Sequence, residues 1–251
     1  MTAARLLQVV SLGTVPYAEA LELQRTAAKA RLDGRLEDDL LFLLEHPPVV
    51  TFGRSAKEQN LLLTREALAH RGVEFFEAER GGDVTFHGPG QLVGYPIMDL
   101  RRHREDLHWY LRQVEQVMID ALATEGIAAD RHAGKTGVWT NGRKIASIGV
   151  HARQWVTWHG FALNVTTDLS YFDVMVPCGI ADVVMTSVER ELLERTDAAC
   201  LAPSPSLGDD VRAAVVRATG HVFGLVPRAM NRNELQRTIG HAPGPAAASA
   251  S

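Results

Sequence analysis

The apolar positions along the chain change rhythm several times, and each change marks an element. Residues 6–12 form an apolar run of strand length. After Pro16 the chain is rich in Ala, Leu, Gln and Arg until Gly34, which predicts a helix: proline suits the first turn, where its missing N–H is not needed, and glycine suits the exit. Residues 40–45 and 49–52 are unbroken apolar runs and predict buried strands. Thr64 stands where it can cap a short helix ending at Gly72, and residues 73–79, 84–86 and 92–98 predict three more strands. The clearest helix starts at Asp106. Leu107, Leu111, Val114, Met118, Ala121 and Leu122 recur at spacings of three and four, which places them on one face, and Gly126 ends the run.

The second half opens with Asn141-Gly142 between residues 137–140 and 144–148, the dipeptide that a type I′ hairpin turn favours. A strand over residues 156–165 completes the sheet, and helices follow over 187–193 and 209–223. Strands and helices interleave without an internal repeat, so the expected class is α/β (α+β), a mixed β-sheet with packed helices. Hydrophobic residues make up 46% of 251, enough for one large core, so residues 1–228 are expected to form a single catalytic domain. Residues 229–251 are set apart as a C-terminal extension. From Gly240 onward this extension holds small residues and proline with little to bury, which predicts disorder.

The net charge of -4 argues against nucleic acid or an anionic membrane as the main partner. Two cysteines cannot build a disulfide framework, the N-terminus lacks the basic and apolar regions of a signal peptide, and no apolar run approaches the roughly 18 residues that span a bilayer. A cytoplasmic location is expected. The ten histidines show no metal-ligand spacing, so neither a metal nor a cofactor is expected.

Three places carry candidate chemistry. Cys178 lies in Val176-Pro177-Cys178-Gly179-Ile180, where proline and glycine shape a sharp turn around a thiol. A free cysteine is commonly a small buried hydrophobe, which is how Cys200 reads, but this turn suggests a thiol held at the mouth of a site. The run from Arg80 to Gln91 (RGGDVTFHGPGQ) brackets an Arg, a Thr and a His with four glycines and a proline, a backbone able to approach a ligand closely. It matches neither a phosphate loop nor a dinucleotide fingerprint. His87 could pair with a cysteine or simply be a hydrogen-bonded structural residue. Lys144, just past the hairpin turn, is ordinarily a solvated strand-end residue. An ammonium beside a thiol, however, lowers the thiol pKa, and a free thiol near 8.5 is only about a few per cent thiolate at pH 7.

These segments, together with Tyr95-Pro96, Gly137-Val138-Trp139, Lys144 to Gly149 and His159 to Asn164, resemble the bacterial lipoyl(octanoyl) transferases in order and spacing from about Gly13 to Gly224. The resemblance implies the fold shared with biotin and lipoate protein ligases. It also implies a reaction, in which an octanoyl (or lipoyl) group passes from the thioester of octanoyl-acyl carrier protein to a specific lysine of a lipoyl domain. The acceptors would be lipoyl domains of 2-oxoacid dehydrogenase E2 subunits and the glycine cleavage H protein. By motif, Cys178 is implied as the acyl-thioester nucleophile and Lys144 as the group that lowers its pKa and serves as general acid and base. Arg80, Gly81, Gly82, Asp83, Val84, Thr85, Phe86, His87, Ser147, Ile148, Gly149, Gly160, Phe161 and Ala162 are implied to bind substrate.

The residue chemistry agrees with that reaction. Transfer from thioester to amine is downhill and needs no ATP, and a thiol can hold the acyl group between two bulky protein substrates. Backbone amides of Cys178 and of the Gly-rich turn are candidate oxyanion donors. Three other readings stay open: an ATP-dependent ligase, told apart by ATP dependence; a noncatalytic acyl-binding protein, indifferent to Cys178→Ser; and a cysteine hydrolase, in which water replaces the amine. Arg101, Arg102 and Arg104 read either as solvated charges or as a dock for an acidic carrier protein.

Overall fold

The computed structural model describes residues 4–176, 183–195 and 204–240. Eight strands form one sheet: β1 (Leu6–Thr14), β2 (Asp39–Glu45), β6 (Gln91–Ile97), β7 (Asp130–His132), β8 (Lys135–Thr140), β9 (Arg143–Arg153), β10 (Val156–Asn164) and β11 (Val226–Ala229). Their spatial order is β11-β1-β2-β6-β10-β9-β8-β7. The first three run parallel and the remaining pairs antiparallel. A second sheet holds β3 (Val49–Phe52) between β4 (Glu74–Glu77), parallel to it, and β5 (Val84–His87), antiparallel.

The apolar run at β2 has a direct cause. Leu41 and Leu43 enter the core under α3 (Leu107–Thr124), the start of α4 (Val188–Arg195) and α5 (Leu207–Phe223), whereas Leu40, Phe42 and Leu44 enter the one under α1 (Tyr17–Leu32) and α6 (Arg232–Gly240). Both faces of the central sheet are covered, so alternation gives way to continuous hydrophobicity. The small sheet packs with α2 (Arg65–His70) in a separate apolar cluster, joined to α1 through Tyr17, Leu21, Val49 and Ala78.

The expected caps are present. Thr64 Oγ1 accepts from the Ala67 N–H at 3.2 Å, and Asp106 accepts from the Trp109 N–H at 3.0 Å. At the predicted hairpin, Asn141 and Gly142 have φ of 49° and 77°, the left-handed pair a type I′ turn needs. The α3 stripe is rotated from its expected position: Leu107 is 39% exposed, while Tyr110 and Val117 are buried against α5 and the sheet. The strand expected over 73–79 is confined to β4. The chain past Arg228 continues from β11 into α6, whose Leu235 and Ile239 are buried with α1 and whose Ile239 carbonyl accepts from Arg35. Residues 241–251 lie outside the described residues. None of the described helices is long and apolar enough to cross a membrane.

Candidate active site

A cavity of about 200 Å³ lies between the β9–β10 pair and the turn that leads into β5. Of the residues singled out from sequence, Arg80, Gly82, Asp83, Val84, Thr85, His87, Lys144, Ser147, Ile148, Gly149, Gly160, Phe161 and Ala162 line it. Gly81 and Phe86 do not. Gly81 donates its N–H to the Val150 carbonyl at 2.8 Å, tying the turn to β9, and Phe86 stacks on Tyr171 at 4.5 Å in the small-sheet core. Cys178, with Pro177 and Gly179, lies outside the described residues, as does Cys200.

Lys144 does not behave as a solvated strand-end lysine. Only 2% of it is exposed. Its N–H donates to the Val184 carbonyl at 2.8 Å and its own carbonyl accepts from the Thr186 N–H at 2.9 Å, so the chain that follows residues 177–182 is laid along β9 at this lysine. On the other side of that segment, the Val176 N–H donates to the Asn60 carbonyl at 2.8 Å. The Lys144 ammonium stands 5.7 Å from the Trp139 ring centroid, within range of an attractive ring field.

Gly137 makes room for the ammonium. A Cβ there would sit 2.7 Å from Lys144 Cε and 3.3 Å from Nζ, and its φ of 126° is one that side chains rarely adopt. Sequence reading quoted Gly137 in a motif but gave it no role, because the close approach comes from a neighbouring strand.

Arg80 is buried and anchored: its Nη2 donates to the Thr51 carbonyl at 2.6 Å and to Thr51 Oγ1 at 2.8 Å. It therefore braces the Gly-rich turn against β3. His87 Nδ1 lies 2.8 Å from Gln91 Oε1, and Gln91 Nε2 donates to the Phe86 carbonyl and to Asn164 Oδ1. Because the Gln91 oxygen can only accept, His87 carries its proton on Nδ1. Asn164 Nδ2 passes the network to the Thr186 carbonyl, the residue whose N–H meets Lys144. Burial pushes the His87 imidazole well below its ordinary pKa, with His46 and Arg80 acting in the same direction, so it is neutral.

Beyond His87 the cavity is bounded by groups that sequence reading did not single out: Tyr17, Tyr95 and His159. The Tyr95 hydroxyl donates to His46 Nε2 at 2.7 Å while His46 Nδ1 donates to the Val15 carbonyl at 2.6 Å. Burial lowers the His46 pKa to about 4 and raises that of Tyr17 to about 12. His159 has φ of 57°, unusual outside glycine, and its N–H is held by Gln24 Oε1 at 2.8 Å. The three arginines considered as a docking cluster are engaged locally: Arg101 with Asp99, Arg102 with the Glu37 carbonyl and Arg104 with Asp106.

The family model described as "Lipoyl protein ligase A/B catalytic domain" matches residues 16–202. An octanoyltransferase of Acidobacterium capsulatum is 48% identical over 231 residues, covering 87% of this chain and 90% of the relative. One of Koribacter versatilis is 53% identical over 192 residues, covering 74% and 76%. Among solved structures, a bipartite lipoate protein ligase from Thermoplasma acidophilum, solved in work on it and its E2 lipoyl domain, superposes with a TM-score of 0.66 at 16% identity, covering 94% of this chain and 90% of that one. A lipoate-protein ligase A bound with ATP gives 0.69 at 15% identity over 93% and 92%. At such identities the structural likeness establishes the fold, a mixed α/β architecture shared with lipoate ligases.

Proposed function

We propose that this chain, which belongs to the octanoyltransferase family and is an acyltransferase of protein lipoylation, moves its acyl group through a thioester on Cys178. The donor is octanoyl-acyl carrier protein. The acceptor is a lysine of a lipoyl domain, in a 2-oxoacid dehydrogenase E2 subunit or the glycine cleavage H protein, and the reaction takes place in the cytoplasm. The observation that carries the mechanism is the buried Lys144 ammonium at one end of a slot walled by Val84, Ile148, Phe161 and Ala162. The chain on either side of residues 177–182 is anchored, at Asn60 and at Lys144 itself. Cys178 lies two residues past the first anchor and six before the second, so a short tether serves to bring its sulfur to the ammonium.

In the first half-reaction the Cys178 thiolate attacks the thioester carbonyl. The bond to the pantetheine sulfur breaks, and that sulfur takes a proton from the Lys144 ammonium. In the second half the target amine attacks the acyl-enzyme, neutral Lys144 accepts the amine proton, and the Cys178 thiolate leaves. The lysine returns to its starting state and no nucleotide is consumed. The acyl chain lies along the apolar walls, and the Gly-rich turn, braced by Arg80 on Thr51, closes the slot.

Intact mass spectrometry after incubation with octanoyl-acyl carrier protein, without ATP, tests this reading. The expected result is one octanoyl adduct on the wild type, none on Cys178→Ser, and a chase of the label onto the domain lysine when lipoyl domain is added. Transfer that requires free octanoate and ATP would instead identify a ligase, and an adduct lost only to water a thioesterase.

A further inference from the structure

The far end of the slot is polar, and it is not complete. Val150, six positions past Lys144, pairs with His159 across β9 and β10, so the backbones of Lys144 and His159 lie roughly 20 Å apart at about 3.3 Å per residue, and both residues line the slot. Between them Ile148, Phe161 and Ala162 supply apolar wall. At the His159 end, both ring nitrogens of His46, the Tyr95 hydroxyl and His87 Nδ1 are engaged with Val15, Gln91 or each other. Tyr17 Oη and His159 Nε2 are different: each belongs to a residue 1% exposed, each lacks a hydrogen-bond partner among the described residues, and both residues line the slot. Buried polar atoms without partners are rare and costly. The two residues, contributed by α1 and β10, line one cavity.

The backbone of His159 adds an independent sign. Trp158 joins the α1-side core with Val156 and Ala162, as strand alternation requires, while His159, with its left-handed φ, lines the cavity beside Gly160. Gln24 holds the strained residue in place through its N–H. Strain maintained by a dedicated hydrogen bond, at a cavity wall, is the kind retained where a ligand is met. Burial keeps the imidazole uncharged, its pKa pushed down to about 3, so its Nε2 offers a hydrogen bond and not a charge.

We propose that Tyr17 and His159 form a hydrogen-bonding site for a polar atom at the distal end of a medium-chain acyl group, so that ω-hydroxyacyl thioesters are donors for this protein. The inference rests on the proposed acyl-slot reading and extends its substrate class. The chemistry of transfer is unchanged: the thioester end reacts at Cys178 while the ω-hydroxyl meets the Tyr17 hydroxyl and the His159 nitrogen.

The test is a competition. Wild type, Tyr17→Phe and His159→Asn, the last chosen because asparagine tolerates left-handed φ, are each loaded from equimolar octanoyl and 8-hydroxyoctanoyl pantetheine thioesters, and separately from the decanoyl and 10-hydroxydecanoyl pair. The ratio of hydroxylated to plain adduct is read by intact mass. The expected result is that, for the chain length that reaches the site, this ratio falls about tenfold or more in both variants, as loss of a buried hydrogen bond to the ligand predicts. A ratio that neither variant changes, at either length, overturns the proposal. Should no adduct form with any thioester, the transferase reading fails instead. Calorimetric binding of octanoate against 8-hydroxyoctanoate, and decanoate against 10-hydroxydecanoate, then decides the site: a preference for a hydroxylated acid that Tyr17→Phe abolishes supports it, and equal affinities overturn it.

Discussion

Two buried polar clusters sit at different places on the same sheet, and they differ in completeness. Around Asp39, 2% exposed, both carboxylate oxygens are taken: Oδ1 by Arg31 and the Asp99 N–H, Oδ2 by Arg5 and His103, all within 2.6–3.1 Å. This charge ties β2 to α1 and to the chain after β6. Burial opposes its ionisation, but the hydrogen bond and charge of His103 and the charge of Arg31 outweigh it, so the carboxyl stays below its usual range. In the slot, by contrast, Tyr17 and His159 keep polar atoms without a hydrogen-bond partner among the described residues. A cluster that closes on itself serves folding. One left open toward a cavity is available to a substrate.

The largest expected effect falls on the slot. Lys144→Met removes the proposed proton carrier and is expected to lower octanoyl transfer by about 10²- to 10⁴-fold, read from the rate of amide formation on a lipoyl domain. Lys144→Arg is expected not to restore it. A guanidinium stays protonated throughout, and it is wider than the space Gly137 leaves, where even a methyl group would come within 2.7 Å of Cε. Asp39→Ala makes the opposite point: it leaves Arg31 and His103 buried without their carboxylate and is expected to cost about 3–5 kcal/mol, read from the urea midpoint. If Lys144→Met destabilised the fold more than Asp39→Ala did, the distinction between the clusters would collapse.

Acid sharpens the same comparison. The pKa of His46 is about 4 when folded, against 6.5 ordinarily. Between those values the unfolded chain binds more protons than the folded one, so stability is full above about 6.5 and falls as pH drops through the window, by roughly 3 kcal/mol for this residue. His87 and His159 are displaced in the same direction and deepen the fall. Carboxylates act lower down. Burial opposes ionisation of Glu79, but its hydrogen bond from Arg25 and those from its own backbone and Trp158 prevail and hold it at about 2. That stability is lost only as pH falls below the usual carboxylate range. A urea series from pH 7 to pH 4 is expected to show the decline already under way above pH 5. A flat profile down to pH 5 would mean that the buried histidines titrate normally.

Gly137→Ala is expected to reduce transfer by about tenfold to a hundredfold through displacement of the Lys144 ammonium, with a backbone cost of about 1–3 kcal/mol from its φ of 126°. Transfer kinetics and a urea titration of the same variant separate the two effects.

What the sequence made legible follows from how local each signal is. The Asp106 cap and the Asn141-Gly142 turn are written within a few residues and both appear, and the α3 face appears from Val114 onward. The segments that line the slot were found from sequence because several motifs occur in family order, and the structure brings most of them together around one cavity. By contrast, β11 has four exposed side chains and pairs with β1 from the opposite end of the chain, so neither alternation nor neighbours announce it. The burial of Lys144 depends on residues 184–186 crossing over the hairpin, a long-range event that a strand-end position hides. His159 was quoted within a motif, but nothing in its neighbours reveals a left-handed backbone or an unpartnered nitrogen.

The smallest expected effect is also the most discriminating. Tyr95 and Tyr17 line the same cavity and differ in what their hydroxyls meet: Tyr95 donates to His46 Nε2, while Tyr17 lacks a hydrogen-bond partner among the described residues. Tyr95→Phe leaves the buried His46 nitrogen without its donor and is expected to cost about 1–3 kcal/mol. Tyr17→Phe removes a hydroxyl already buried without a hydrogen bond. Its expected effect on the urea midpoint is therefore within about 0.5 kcal/mol of zero, with a gain as acceptable as a loss. The rings are retained in both variants, so packing against His46, His87 and Phe76 is common to the comparison and cancels. Equal destabilisation by the two substitutions would show that Tyr17 is bound into the fold as firmly as Tyr95. The polar end of the slot would then be another closed cluster like that of Asp39, with nothing left over for a ligand.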